Sequence, residues 1–255
     1  IAVALVGRTE AKLKKVEEII LEQGGKCRCY VCDVADKQAV EKLAAEVVSD
    51  FGRCDYLING AGGNNPRATT DNEYQHEAKE GQKTFFDLDQ SGIDFLFKLN
   101  FQGTLLPTQV FAKDMVERKC GNILNISSMN AYIPLTKIPA YSGAKAAISN
   151  FTQWLATHFA GTGIRCNAIA PGFLVSNQNR ALLFNPDGPF RGLRGAARRP
   201  VLPHRRQGCL RHHRRGAAHR LRLRCLLRRV IQTSNATKPA PITGAGLFNN
   251  LGTSN

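Results

Sequence analysis

Acidic residues vanish from this sequence after Asp187. Residues 188–255 hold fourteen Arg and one Lys, so they carry the whole formal charge of +15, while residues 1–187 balance 20 basic against 20 acidic side chains. A charge confined in this way excludes a basic surface spread over a folded domain, the usual footprint of a nucleic-acid-binding fold. The same stretch has no Tyr or Trp to stack on bases and no helix-turn-helix or zinc-finger pattern. No specific nucleic-acid partner is expected; binding through the Arg residues of RHHRRGAAHRLRLRCLLRR (211–229) would be nonspecific and salt dependent. No apolar run approaches the roughly 20 residues of a membrane span. The sequence opens at Ile1 inside an expected strand, without a charged leader or small-residue cleavage site, which reads as no secretory signal.

What is present points to one large α/β domain: 255 residues, 43% hydrophobic, are enough to bury a substantial core. Eight Cys are scattered, and Cys27, Cys29 and Cys32 cluster as CRCYVC. In a strand Cys27 and Cys29 face opposite to Cys32, and no fourth ligand lies nearby, so no metal is expected. Scattered free thiols fit a reducing, cytoplasmic compartment. Up to about residue 187, short apolar runs alternate with helical periods, the pattern of βαβ units and a parallel sheet with buried strands. IAVALVG, CRCYVCDV, CDYLING, GNILNISS and IRCNAIAP read as five strands. Thr9 and Asp36 are expected N-caps and Gly52 a helix stop. One long helix is expected over 89–118. Gly60 to Lys83 is too long for a routine connection and reads as a functional loop. Residues 188–255 hold neither helical nor strand period and read as a separate, disordered tail.

Chemistry concentrates in SSMNAYIPLTKIPAYSGAK, residues 127–145. Tyr141 and Lys145 stand four apart at the start of a helix and so share one face. A fixed ammonium near a phenol stabilises the phenolate and should lower its pKa, making Tyr141 a proton donor or acceptor. Ser128, at the end of the preceding strand, is placed to hold a substrate oxygen. Ligands of open α/β sheets bind at these carboxyl ends of strands.

With NGAGG at 59–63, CDV at 32–34, Asn100 in LNF and Pro171-Gly172 after the last strand, the constellation resembles the short-chain dehydrogenase/reductase family. The resemblance implies a Rossmann-like doubly wound parallel sheet and an NAD(P)-dependent oxidoreductase. It implies Tyr141 as acid/base, Lys145 as the group that tunes it and binds the nicotinamide ribose, and Ser128 as oxygen holder. Asn100 is implied as a helix-break residue supporting a proton relay. Asp33 and Val34 are implied as adenine contacts, and Asn59, Ala61 and Gly62 as the turn where backbone approaches cofactor. Pro171, Gly172 and Ser176 flank the nicotinamide in this pattern. Longer matches, among them GAGGNNPRATTD and APGFLVSNQNRALLFNPDG, resemble the short-chain-type D-mannonate oxidoreductases, or fructuronate reductases, over about residues 1–188. A sugar-acid substrate follows, with Lys137 and Arg180 as candidates for its carboxylate and Asn64, Asn65 and Asn130 for its hydroxyls. Gly7-Arg8 matches the pattern that pairs Arg with the 2′-phosphate of NADP, while the near family is described with NAD; both stay open. The resemblance implies a homo-oligomer, without the family's final-strand interface in this chain.

Two departures stand out against that pattern. The sequence begins at the family's second strand, so the first strand and its Gly-rich phosphate turn are not in it. Two neighbouring strands should then show unpaired ladder groups around an opened core, and activity should be impaired. After Gly188 nothing resembles the family; the Arg, Ala, Gly, Pro and His bias has the character of a GC-rich gene read out of frame, and a non-functional fragment is the alternative reading. Sequencing the locus checks that hypothesis: a shifted frame near codon 188 is expected, and a continuous frame encoding this tail in an expressed protein contradicts it.

Overall fold

The computed structural model of this protein describes residues 1–172. The tail, the expected boundary at 187/188, Ser176 and Arg180 lie outside the described residues. Five strands appear, as the alternation predicts: β1 (Ala2–Gly7), β2 (Lys26–Val31), β3 (Tyr56–Asn59), β4 (Gly121–Ile126) and β5 (Ile164–Ile169). Helices α1 (Glu10–Glu22) and α2 (Lys37–Phe51) follow β1 and β2. Asp36 caps α2 by accepting from the backbone N–H of Gln38 and Ala39, and Gly52 ends it at φ 77°, a left-handed conformation that favours Gly. Thr9 occupies the N-cap position of α1 but makes no side-chain capping bond.

All strand pairings are parallel, and they form two sheets: β1 with β2, and β3-β4-β5 in that order. β1 and β3 each have one edge without a strand partner among the described residues. The unpaired ladders expected from the sequence would fall on β1 and β3; β2 and β5 are likewise paired on one side only among the described residues. The expectation of buried strands fails at these edges, where Tyr56 is 60% and Ile58 59% exposed. A strand joined on both sides and covered on both faces reads as a continuous apolar run; β3 has the run without all of the cover. Of α1, no residue is fully buried. Among the described residues no helix is long and apolar enough to cross a membrane.

The expected helix over 89–118 is three pieces: α3 (Gln90–Phe97), a π-turn (Lys98–Gln102) and α4 (Gly103–Glu117). Pro107 within α4 has no N–H to donate, so the ladder around Gly103 cannot run unbroken. The extra residue of the π-turn places Asn100 inward and fully buried. Two apolar clusters anchor the layers. Ala112 and Met115 of α4 pack with Ile123, Leu155, Ile164 and Cys166 from β4, α5 (Pro139–His158) and β5. Tyr30 and Cys32 pack with Val40, Leu43 and Val47 of α2, and Val110 and Phe111 of α4 lean on that cluster. Thus α4 contributes to the cores beneath both sheets.

A polar chain crosses the interior. Asn59 Nδ2 donates to Asn125 Oδ1 at 2.9 Å and to Thr108 Oγ1 at 3.0 Å. Asn125 Nδ2 donates to Thr152 Oγ1 at 2.9 Å, which donates to the Ile148 carbonyl at 2.8 Å. In the other direction Thr108 donates to the Thr104 carbonyl and Thr104 to that of Asn100, at 2.7 and 2.9 Å. Every member is buried and hydrogen-bonded, so the network joins α5, β4, β3, α4 and the π-turn without an orphaned group. Truncation at its centre, Asn125→Ala, strips partners from Asn59 and Thr152 together; a loss of about 2–3 kcal/mol in urea unfolding is expected. A change below about 0.5 kcal/mol would show that the network contributes nothing to stability.

Candidate active site

Ser128, Tyr141 and Lys145 converge at the carboxyl end of β4. Ser128 follows the strand and caps a single 3-10 turn (Met129–Ala131), its Oγ accepting from the Asn130 N–H at 3.2 Å. Tyr141 and Lys145 lie in the first two turns of α5, as their spacing predicts, with the ammonium 5.7 Å from the centroid of the Tyr141 ring.

Lys145 is 4% exposed and is held at both ends. Its Nζ donates to the Ile126 carbonyl at 2.8 Å, while its own carbonyl accepts from Ser127 Oγ at 3.1 Å and Ser149 Oγ at 3.3 Å. Ser127 and Ser149 share a further 2.6 Å hydroxyl contact. Ser127 and Ser149 were not singled out in the sequence; Ser149 lies one turn after Lys145, a small polar residue on the same helix face. Asn100 spends its whole side-chain amide locally. Its Oδ1 accepts from the Gly63 N–H at 3.2 Å, and its Nδ2 donates to the carbonyls of Gly63 and Leu96 at 2.9 Å. This clamps the Gly63 backbone to the π-turn. A Cβ on Gly62 would stand 2.7 Å from Asn100 Oδ1 and 3.1 Å from Lys145 Nζ, so only Gly permits that approach.

Burial lowers the Lys145 pKa to about 8. It pushes the Tyr141 phenol up, with the neighbouring Ser128 hydroxyl pulling the other way. The expectation that Lys145 lowers the phenol is therefore not met in this state. Desolvation opposes charge on both groups, and the ammonium is turned to a backbone carbonyl.

The other expected residues are placed as follows. Asn59 turns its side chain inward and is available only through its backbone. Val34 and Ala61 meet over Gly103, whose added Cβ would lie 3.2 Å and 4.0 Å from them. Asp33 accepts from the Ala35 N–H at 3.0 Å. The Pro171 carbonyl accepts from the Met129 N–H at 3.1 Å, which sets Pro171 and Gly172 beside the Ser128 turn. Arg8 is exposed between β1 and α1. Asn64 and Asn65 serve the loop itself, donating to Thr69 Oγ1 and accepting from the Arg67 N–H. Asn130 is 7% exposed, and its buried Oδ1 has no partner. Lys137 Nζ donates to the Asp71 carbonyl at 2.8 Å.

A nicotinamide cofactor fits part of this arrangement. Lys145 has three N–H donors, one of them engaged, beside the side-chain-free strip at Gly62. Among the described residues no Gly-rich turn cradles a pyrophosphate.

The model of the short chain dehydrogenase family matches residues 1–184. The chain belongs to the short-chain dehydrogenase family. Such enzymes are NAD(P)-dependent oxidoreductases with a Rossmann-like fold, and the resemblance read from the motifs holds. An uncharacterized oxidoreductase of Haemophilus influenzae is 60% identical over 187 residues, 73% of this chain and 66% of that one. The uncharacterized oxidoreductase UxuB of Bacillus subtilis is 49% identical over 188 residues, 74% of this chain and 67% of that one. The chain thus spans about two thirds of the length of these relatives. A crystal structure of a candidate D-mannonate oxidoreductase from Haemophilus influenza, with bound NAD, is 59% identical with a TM-score of 0.71, covering 75% of this chain and 69% of that one. A gluconate 5-dehydrogenase from Burkholderia cenocepacia, in complex with NADP and tartrate, is 25% identical with a TM-score of 0.61, covering 72% and 66%.

The buried ammonium has a measurable cost. The unfolded chain keeps this proton up to about pH 10.5, whereas the folded chain releases it near 8, so stability rises with pH across that window. At pH 7 the full penalty is present, about 3 kcal/mol, of which an unpaired Ile126 carbonyl returns roughly 1 in a Met variant. Lys145→Met is expected to be more stable than the parent by about 2 kcal/mol at pH 7, an advantage that shrinks by pH 10. Urea unfolding at both pH values reads this directly; an unchanged or lower midpoint at pH 7 contradicts it.

Proposed function

We propose that this protein transfers hydride between a nicotinamide cofactor and a sugar-acid ketone or alcohol of the D-fructuronate/D-mannonate type, through Ser128, Tyr141 and Lys145. The observation that carries the reading is the convergence of these three side chains at the end of β4, with Lys145 bonded to backbone and aimed along Gly62. When bound, the cofactor supplies or accepts the hydride. In the reducing direction Ser128 and the Tyr141 hydroxyl hold the ketone oxygen. Tyr141, kept protonated by burial, passes its proton to that oxygen as it gains negative charge. The Lys145 ammonium stabilises the phenolate left behind. Asn100 acts by clamping Gly63 beside this pair; support for a proton relay is its proposed second role.

The bound NAD of the Haemophilus structure supports NAD, and the Gly7-Arg8 pair supports some use of NADP. Asn130, with an unpaired buried oxygen two residues from Ser128, suits a substrate hydroxyl. Arg180 is the proposed carboxylate partner, and Ser176 the nicotinamide neighbour. Six free cysteines among the described residues suit the reducing cytoplasm. An open groove of about 500 Å³ between α4 and α5, lined by Phe151, Trp154 and His158, suits the family's side-by-side dimer.

The test is reduction of D-fructuronate with NADH and with NADPH, by this chain and by a version extended with the first strand, Gly-rich turn and C-terminal region of the Haemophilus relative. The extended version is expected to be the more active, and Tyr141→Phe to remove about 10²–10⁴-fold of its rate. Its rate should fall as pH rises through about 8, where Lys145 loses its charge. An extended version inert with both cofactors would falsify the substrate reading.

A further inference from the structure

We propose that Lys137 is a positioning residue that fastens the loop after β3 against the catalytic helix, making that loop a fixed wall of the substrate site. The loop is first closed on itself. The Asp71 N–H donates to the Lys83 carbonyl and the Lys83 N–H to Asp71 Oδ2, both at 2.8 Å, which ties off the residues between them in the manner of an Ω-loop. Lys83 Nζ then reaches the Pro66 carbonyl at 3.0 Å.

The closed loop is clasped to the segment that enters α5. The Thr70 N–H donates to the Lys137 carbonyl at 3.0 Å, and Lys137 Nζ donates to the Asp71 carbonyl at 2.8 Å. One residue thus accepts from Thr70 with its backbone and donates to Asp71 with its side chain. The result is visible in the packing: Ala68, fully buried, lies with Leu96, Ala140 and Ala144 in a cluster that Tyr141 joins. A loop of this length would otherwise sample many conformations; the reciprocal Asp71–Lys83 pair and the two Lys137 bonds at Thr70 and Asp71 fix where Ala68 meets the helix face of Tyr141.

This reading differs from a direct bond between Lys137 and the substrate carboxylate, because a fastener affects every substrate and a carboxylate ligand affects only charged ones. It rests on the proposed hydride transfer only for its kinetic arm. In the full chain, Lys137→Met keeps the stem and loses the donor, while Lys137→Arg keeps a donor; Lys137→Gln replaces the Met variant if that one does not fold. Amide exchange followed by mass spectrometry should be about tenfold faster over residues 70–83 in Lys137→Met, unchanged in β4 and α5, and near the parent in Lys137→Arg. With the same substitutions in the extended version, KM for D-fructuronate and for the uncharged ketose D-fructose should rise together, with kcat altered less. Unchanged exchange in Lys137→Met overturns the proposal, as does a KM rise confined to the charged substrate. If the extended version reduces neither ketone, the hydride-transfer reading fails, and the exchange result alone decides the clasp.

Discussion

The seating of Lys145 on the end of β4 is the constraint on which the site depends. A buried ammonium in this position is costly, and three bonds hold the residue: its Nζ to the Ile126 carbonyl, and its own carbonyl to the Ser127 and Ser149 hydroxyls. These acceptor and donor groups belong to consecutive residues, so the next residue, Ser128, is placed beside Tyr141 by the same strand end. Helix register then does the rest, because Tyr141 and Lys145 cannot move independently within α5.

The surrounding polar chain explains why this strand end is stable despite the two separate sheets. Asn125 binds Asn59 on one side and Thr152 of α5 on the other, so β3, β4 and α5 are locked by directional bonds. Apolar packing beneath α4 spans the sheets without fixing register. The same chain ends at the carbonyl of Asn100, which in turn clamps Gly63 and thereby keeps the Gly62 backbone close to Lys145.

Local features were legible in the sequence. Asp36 and Gly52 bound α2 because caps depend on a few neighbouring residues, and the Tyr141–Lys145 spacing is a property of any helix. The π-turn was not legible: Pro107 marks a break in the ladder across 90–117, but a proline alone does not distinguish a kink from a π-turn. The partners of Lys145 and Lys137 are backbone carbonyls, which every residue carries, so no motif announces them. The Tyr141–Lys145 spacing alone gives the wrong sign for the Tyr141 shift, because charge taken pairwise omits burial, which acts on both groups at once.

The central claim is that Lys145 is a desolvated ammonium beside Gly62, where the proposed cofactor would bind. Rates of amine labelling at Lys145, followed by mass spectrometry from pH 6 to 11 with and without saturating NAD, test it most directly. The account predicts half-maximal reactivity near pH 8 and strong protection by NAD in the version extended with the phosphate-binding turn. Reactivity that rises only near pH 10.5, or labelling that NAD leaves unchanged in that version, would contradict it.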